Sequence, residues 1–308
     1  MEIIDAHVHI VPRELLGSHD ERFDVTVLPF GVKSAPFGSI QFMPPCFEDS
    51  SFSAEALIAT LDSAGVSRAI IMQSLCNASN EAVARAVAAH PGRLAGAMVI
   101  EPSGESCLDD IRRWHGRGLT VMKFETSAGL GYTHPNAYPD LRFDSPLFCR
   151  VFELAQSLGI SVTIDPGRIG SQCYRPEILR KMALAFPALR FIICHLGFPF
   201  SGLRADAEKY ALWRDMLRLA MLPNVWFDVA AMPDLFAEKG YPFSDATGFL
   251  REFLELFPGK AIWGSDIPGT LCSATYPQMA DMFSCSGLFS ETELESLFAG
   301  AARAAYSL

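Results

Sequence analysis

The chain is poor in several signals that would assign a function class at once. No apolar run approaches the roughly 18 residues of a membrane-spanning helix; the segment Arg93 to Ile100, for example, ends after eight. The eight cysteines, from Cys46 to Cys285, form no CxxC pair and no zinc-ribbon spacing, so they read mostly as small buried hydrophobes. Positive charge is scarce: 25 Lys and Arg face 35 Asp and Glu, a net charge of −10, which repels nucleic-acid backbones and anionic membranes. No positively charged stretch precedes an apolar one at the N-terminus, where Glu2, Asp5, His7 and His9 stand instead, so a cytoplasmic protein with reduced thiols is the expectation. Low-complexity tracts and linkers are absent too. With 308 residues and 50% hydrophobic content, what is left is a folded protein with a large core.

Short apolar, β-branched segments recur along the chain, alternating with stretches of helical periodicity. They are Glu2 to Ile10, Arg68 to Ser74, Leu94 to Pro102, Leu119 to Glu125, Ile160 to Pro166, Arg190 to Gly197, Asn224 to Ala231 and Lys260 to Pro268. Helix signals between them include a Ser53 cap with a Gly65 stop, and a second helix from Ser145 to Gly159 whose Phe148, Val151 and Phe152 share a side. Eight such units predict an α/β fold, a (β/α)8 TIM barrel, as a single domain over 1–308. Two stretches interrupt the alternation. Residues 11–52, after the first strand, predict a lid or insertion over the barrel mouth, and 126–144 a long loop after the fourth strand.

Chemistry concentrates at the strand ends. In DAHVHI (Asp5 to Ile10), His7 and His9 stand two apart on a strand and so face the same way, into the barrel. Two inward imidazoles make half of a transition-metal site, or else a hydrogen-bonded core pair. His195 closes the sixth strand in IICHLGFP, and Asp266 the eighth in WGSDIPG, which directs both to the same mouth. Of seven histidines, three sit at strand ends, a placement that packing does not explain. An uncompensated buried carboxylate is costly, so Asp266 reads as a ligand and proton-transfer group.

DAHVHI, FPALRFIICHLG (Phe186 to Gly197), AIWGSDIP (Ala261 to Pro268) and the closing helix from Glu291 to Leu308 together resemble the amidohydrolase superfamily. More narrowly, the chain is similar to the branch of metal-dependent hydrolases and decarboxylases that includes aminocarboxymuconate-semialdehyde decarboxylase and the pyrone-dicarboxylate lactonases. The resemblance spans nearly the whole chain. It implies that His7 and His9 bind a divalent metal, zinc first with manganese or iron as alternatives, and that Asp266 is both ligand and proton carrier. It implies that His195 hydrogen-bonds substrate or hydroxide, or binds a second metal.

Two positions depart from the family pattern. The fifth strand ends TIDPG, with Asp165 where the family usually carries a metal-binding His. Asp165 reads either as a ligand or as a carboxylate that caps or orients. On the fourth strand Lys123 and Glu125 share a face. By resemblance either one bridges two metals, giving one or two ions; otherwise Lys123 forms an ion pair with Asp165 or Glu125, and Glu125 is the better candidate to touch a metal.

Substrate contacts fall to Lys123 and to Arg168 and Arg175 beyond the fifth strand, where a guanidinium grips a carboxylate, unless both arginines are simply solvated. Phe30, Phe37, Phe42 and Phe47 in the first long loop line a pocket or pack the loop down. The expected activity is hydrolysis of an ester, lactone, thioester or amide of a small organic acid. The alternative is non-oxidative decarboxylation of an aromatic or enoic acid. The expected partner is a small-molecule substrate, with no nucleic acid and no membrane; dimers are frequent in the family, which makes a homodimer one candidate assembly and leaves the oligomeric state open.

Overall fold

The structure is a computed structural model that describes residues 1–76, 78–102, 104, 106–126, 137–140 and 142–308. After β1 (Ile4–Val8) comes a small antiparallel sheet of β2 (His19–Asp20), β3 (Val25–Leu28), β4 (Val32–Ala35) and β5 (Gly38–Gln41). Then follow β6 (Arg68–Ile71), β7 (Leu94–Met98), β8 (Val121–Glu125), β9 (Ser161–Asp165), β10 (Phe191–Ile193), β11 (Val225–Asp228) and β12 (Ala261–Ile262). β1 and β6 to β12 pair in that order, every neighbour parallel.

The first and last strands close the ring. Ala6 N–H donates to Trp263 O at 3.1 Å, Asp266 N–H to His7 O at 2.7 Å and His9 N–H to Ile267 O at 2.7 Å. All eight sequence-predicted strands are present, and the fold is the (β/α)8 barrel.

Among the described residues the α-helices are α1 (Ala54–Ser63), α2 (Asn80–Ala89), α3 (Ser106–Gly116), α4 (Pro146–Leu158), α5 (Pro176–Ala185), α6 (Ala207–Leu217), α7 (Met232–Leu235), α8 (Ser244–Leu256), α9 (Tyr276–Ser284), α10 (Glu291–Glu295) and α11 (Ala301–Tyr306). Their starts follow local chemistry. The Ser53 hydroxyl accepts from Ala56 N–H and the Ser145 hydroxyl from Phe148 N–H, each satisfying a backbone donor that the first turn leaves unpaired. Gly159, at φ 70°, ends α4 in a conformation a side chain would resist. Phe148, Val151 and Phe152 of α4 are fully buried against the barrel wall.

The barrel interior has two storeys. At the end where the strands begin, Ile4, Ala6, Ile70, Val121 and Ile192 pack with Ala302, Ala305 and Tyr306 of α11. Ser161 Oγ donates to Ala305 O at 2.8 Å, and the Thr163 and Tyr306 hydroxyls meet at 3.2 Å, so the last helix plugs that end. The ionisable side chains His7, His9, Lys123, Glu125, Asp165, His195 and Asp266 line the other storey, at the carboxyl ends of the strands. The antiparallel sheet within residues 11–52 flanks that mouth, with Val27, Lys33 and Phe42 among the residues lining its cavity. The long loop expected over 126–144 lies largely outside the described residues. Among the described residues no helix is long and apolar enough to cross a membrane.

Candidate metal centre and active site

β1 does not keep a strict period of two. Its ladder with β6 shifts register between Asp5 and Val8, and the chain uses the shift. Asp5, fully buried, accepts from Ser265 N–H at 2.9 Å, His7 N–H at 3.2 Å and the Tyr276 hydroxyl at 2.8 Å. Burial raises its pKa to about 6 against these hydrogen bonds. Asp5 thus ties β1 to the segment that carries Asp266, while His7 and His9 both line the cavity. Gly264 permits the approach: a Cβ there would lie 2.7 Å from His7 Cβ.

Asp266 has a left-handed backbone at φ 63°, as does His195 at φ 56°. In both cases the chain leaves the sheet earlier than the apolar pattern predicts, β12 ending at Ile262 and β10 at Ile193. Strained backbone of this kind is held by its surroundings and is concentrated at functional sites.

Asp266 Oδ1 lies 2.9 Å from His9 Nε2 and 3.6 Å from His7 Nε2. One donor atom from each of the three residues falls within 4.8 Å of the others. Metal bonds of about 2.0–2.2 Å would span such separations. Burial pushes the Asp266 carboxyl up, but the hydrogen bond from His9 and the neighbouring imidazoles outweigh it and hold it well below the usual carboxylate range.

His7 is oriented from behind. Its Nδ1 lies 3.0 Å from Asp228 Oδ2, and Lys123 Nζ donates to its Nε2 at 3.3 Å. Nδ1 therefore carries the proton and Nε2 the lone pair. Burial, followed by the charge of Lys123, lowers the His7 pKa to about 4, which keeps the ring neutral as a metal ligand requires.

The other oxygen of Asp228 accepts from the backbone N–H of His195 at 2.7 Å and of Ala230 at 3.3 Å. This one carboxylate, fully buried, fixes the ring of His7 and the left-handed turn that carries His195. Burial pushes it up, yet its contacts with His7 and His195 hold it well below the usual range. Sequence reading missed Asp228; the available signal was a lone carboxylate closing the apolar run NVWFD.

His195 places its Nδ1 3.1 Å from Ala230 O, so Nδ1 donates and Nε2 is left for the cavity. The remaining candidates divide. Lys123, Glu125, Asp165 and Arg168 all line the same cavity as His7, His9, His195 and Asp266. Burial pushes the Lys123 ammonium down, while the acidic groups around it, Cys194, Glu125, Asp165 and Asp228, raise it by more. Glu125 accepts from the Ser74 hydroxyl at 2.9 Å, and Asp165 from Gly167 N–H at 2.8 Å.

Among the described residues neither Glu125 nor Asp165 nor His195 joins a convergent three-donor group. The second such group, His7, Cys194 and Asp228, is wholly buried, and burial pushes the Cys194 thiol well up, away from the thiolate a metal would need. Arg175 stands apart from the cavity: its guanidinium donates to Gln172 O at 2.9 Å and lies 3.7 Å from Glu177. Phe42 lines the cavity, Phe47 packs edge-on against Phe52, and Phe30 and Phe37 are exposed.

Two histidines and one carboxylate, buried on one side and open to a cavity on the other, suit a divalent transition metal with room for a further ligand. Residues 4–308 match the family described as amidohydrolase. The chain is similar to 4-sulfomuconolactone hydrolase of Rhizobium radiobacter, 22% identical over 262 residues, covering 84% of this chain and 77% of that one. It is similar to 2-pyrone-4,6-dicarboxylate hydrolase of Comamonas testosteroni, 24% identical over 265 residues, covering 82% and 76%. A zinc-bound amidohydrolase from Burkholderia multivorans shares the fold, with TM-score 0.72 at 17% identity over the whole of both chains. The chain belongs to the amidohydrolase family.

Proposed function

We propose that this protein is a metal-dependent lactone hydrolase acting on a small organic acid, with one divalent ion, zinc foremost, held by His7, His9 and Asp266. The observation that carries the reading is the convergence of His7 Nε2, His9 Nε2 and Asp266 Oδ1 at the cavity floor. Sulfomuconolactone and pyrone dicarboxylate, named for two relatives, are anionic lactones, which favours ring-ester hydrolysis over decarboxylation.

An ion bound there supplies Lewis acidity, lowering the pKa of water from 15.7 toward about 7 and polarising a carbonyl. The remaining work belongs to the chain. Asp266 takes the proton of the attacking water as the new C–O bond forms. It then delivers that proton to the ring oxygen as the ester C–O bond breaks, so one water is added and a hydroxy acid leaves. His195 Nε2, with its ring set by the Ala230 carbonyl, accepts a hydrogen bond from the attacking water. Asp228 keeps the His7 tautomer through both steps. Arg168, exposed at the rim and without an ion-pair partner among the described residues, holds the anionic group of the substrate.

The test is hydrolysis of an anionic lactone panel in 18O-water. Incorporation of label by the zinc-loaded protein, abolished in His7→Ala and Asp266→Asn, supports the reading; turnover that survives both substitutions and chelation overturns it.

A further inference from the structure

The cavity in front of the donor cluster has a volume of about 790 Å³, in the upper part of the range for small-molecule sites. Its two flanks differ. On the flank carried by β9 and the segments after it stand Arg168 and His195, where an anionic lactone would be held. Across the ring of strands, the flank formed by β1, β6 and α2 with the antiparallel sheet is mostly apolar, with Lys33, Gln73 and Ser74 as its polar members. Ile10, Val11 and Leu15 beyond β1, Val27 on β3, Met72 beyond β6 and Ala82 on α2 line it.

The polar side chains on that flank are already committed to the protein. Gln73 Nε2 donates to Asn80 Oδ1 at 2.9 Å and to Ala97 O at 2.7 Å, while its Oε1 accepts from Ser79 N–H at 2.7 Å. Ser74 donates to Glu125, and the Lys33 ammonium lies 4.8 Å from the centre of the Phe42 ring. A polar ligand gains little against such a wall. A hydrocarbon ligand gains the release of water from both surfaces. Val27, Met72 and Ala82 are buried and back this wall, while Ile10, Val11 and Leu15 border the cavity only partly buried, where complete packing of the inserted sheet would have covered them.

We infer that this flank is a subsite for a hydrocarbon substituent, alkyl or aryl, on the lactone, placed opposite the end held by Arg168. The inference rests on the reading of the site as lactone-hydrolysing and adds a substrate class to it.

Calorimetric binding of butanoate and octanoate to the zinc-loaded protein tests the subsite without turnover. Each buried methylene is worth about fourfold in affinity, so octanoate binds at least thirtyfold more tightly than butanoate, with a more negative heat-capacity change. Ala82→Phe, which fills the flank, and Leu15→Asn, which makes it polar, each bring that ratio below about tenfold. A wild-type ratio under threefold, or a ratio retained in both variants, overturns the proposal.

Turnover of δ-decalactone against δ-valerolactone separates the two claims. Preference for the longer lactone supports both. Hydrolysis of the two at equal kcat/KM overturns the subsite and leaves the hydrolase reading standing. Failure to hydrolyse any lactone, anionic ones included, while the octanoate preference holds overturns the hydrolase reading and leaves the subsite.

Discussion

The side chains of His7 and Asp228, 221 residues apart in sequence, meet at 3.0 Å with neither open to solvent. The same carboxylate holds the backbone of His195, so two histidines from the first and sixth barrel strands share one support. Support of this kind commonly sets tenfold to hundredfold of a site's metal affinity.

Asp228→Asn should expose that dependence. An amide offers one acceptor oxygen where the carboxylate offers two, so either His7 Nδ1–H or the His195 N–H loses its partner. Zinc affinity, read by competition with a chromophoric chelator, should fall by about tenfold to hundredfold. Stability in urea should fall by about 1–3 kcal/mol, the cost of a buried unpaired donor. Unchanged zinc affinity would contradict the role given to Asp228.

Acid titration of metal-free protein distinguishes two buried groups of opposite sign. The His7 pKa is lowered to about 4, so between about pH 6.5 and 4 the unfolded chain binds a proton that the fold rejects, and acidification costs stability. The Asp5 pKa is raised to about 6, so between about pH 6 and 3.8 the fold binds a proton that the unfolded chain releases, and acidification adds stability. The two oppose each other in the wild type. Asp5→Asn removes the compensating group, and its stability should drop relative to wild type by roughly 2–3 kcal/mol between pH 6 and 4. Parallel urea curves for the two proteins across that range would refute the assignment.

Gly264→Ala tests the seam between the first and last strands. The added methyl would meet His7 Cβ at 2.7 Å and His7 N at 3.1 Å, and backbone must move to admit it. Overpacking of this kind costs about 1–3 kcal/mol, and here it also displaces a proposed ligand. Thermal unfolding and zinc affinity should both decline; a variant altered in neither would show that the seam is loose.

Arg168→Ala addresses the anionic end of the substrate. Loss of a charged hydrogen bond of about 1.5–3 kcal/mol should raise KM for an anionic lactone by at least tenfold and change kcat less. A fall in kcat with KM unchanged would place Arg168 elsewhere in the reaction.

How much of this was legible in the sequence follows from what each residue depends on. The eight barrel strands were, because parallel strands buried on both faces are written as short β-branched runs; all five residues of β9, for instance, are buried. The strands of the inserted sheet were not, being two to four residues long and half exposed, without a strong period. His7, His9, His195 and Asp266 were legible as polar residues at strand ends that packing alone does not require.

Asp228 was not, because its partners His7 and His195 come from other strands and the contact depends on barrel closure. The left-handed turns at His195 and Asp266 were hidden as well, since neither residue is a glycine that would announce a positive φ. Arg175 lay within the right loop by sequence, yet its guanidinium turns to Gln172 and Glu177.

The central claim is that His7, His9 and Asp266 hold one divalent ion on which hydrolysis depends. Anomalous scattering at the zinc edge, from crystals of zinc-loaded wild type and of His7→Ala, tests it most directly. The account predicts one strong peak within bonding distance of His7 Nε2, His9 Nε2 and a carboxylate oxygen of Asp266, weak or lost in the variant. No peak at these residues in a protein that turns over lactone, or an equal peak in both crystals, would contradict it.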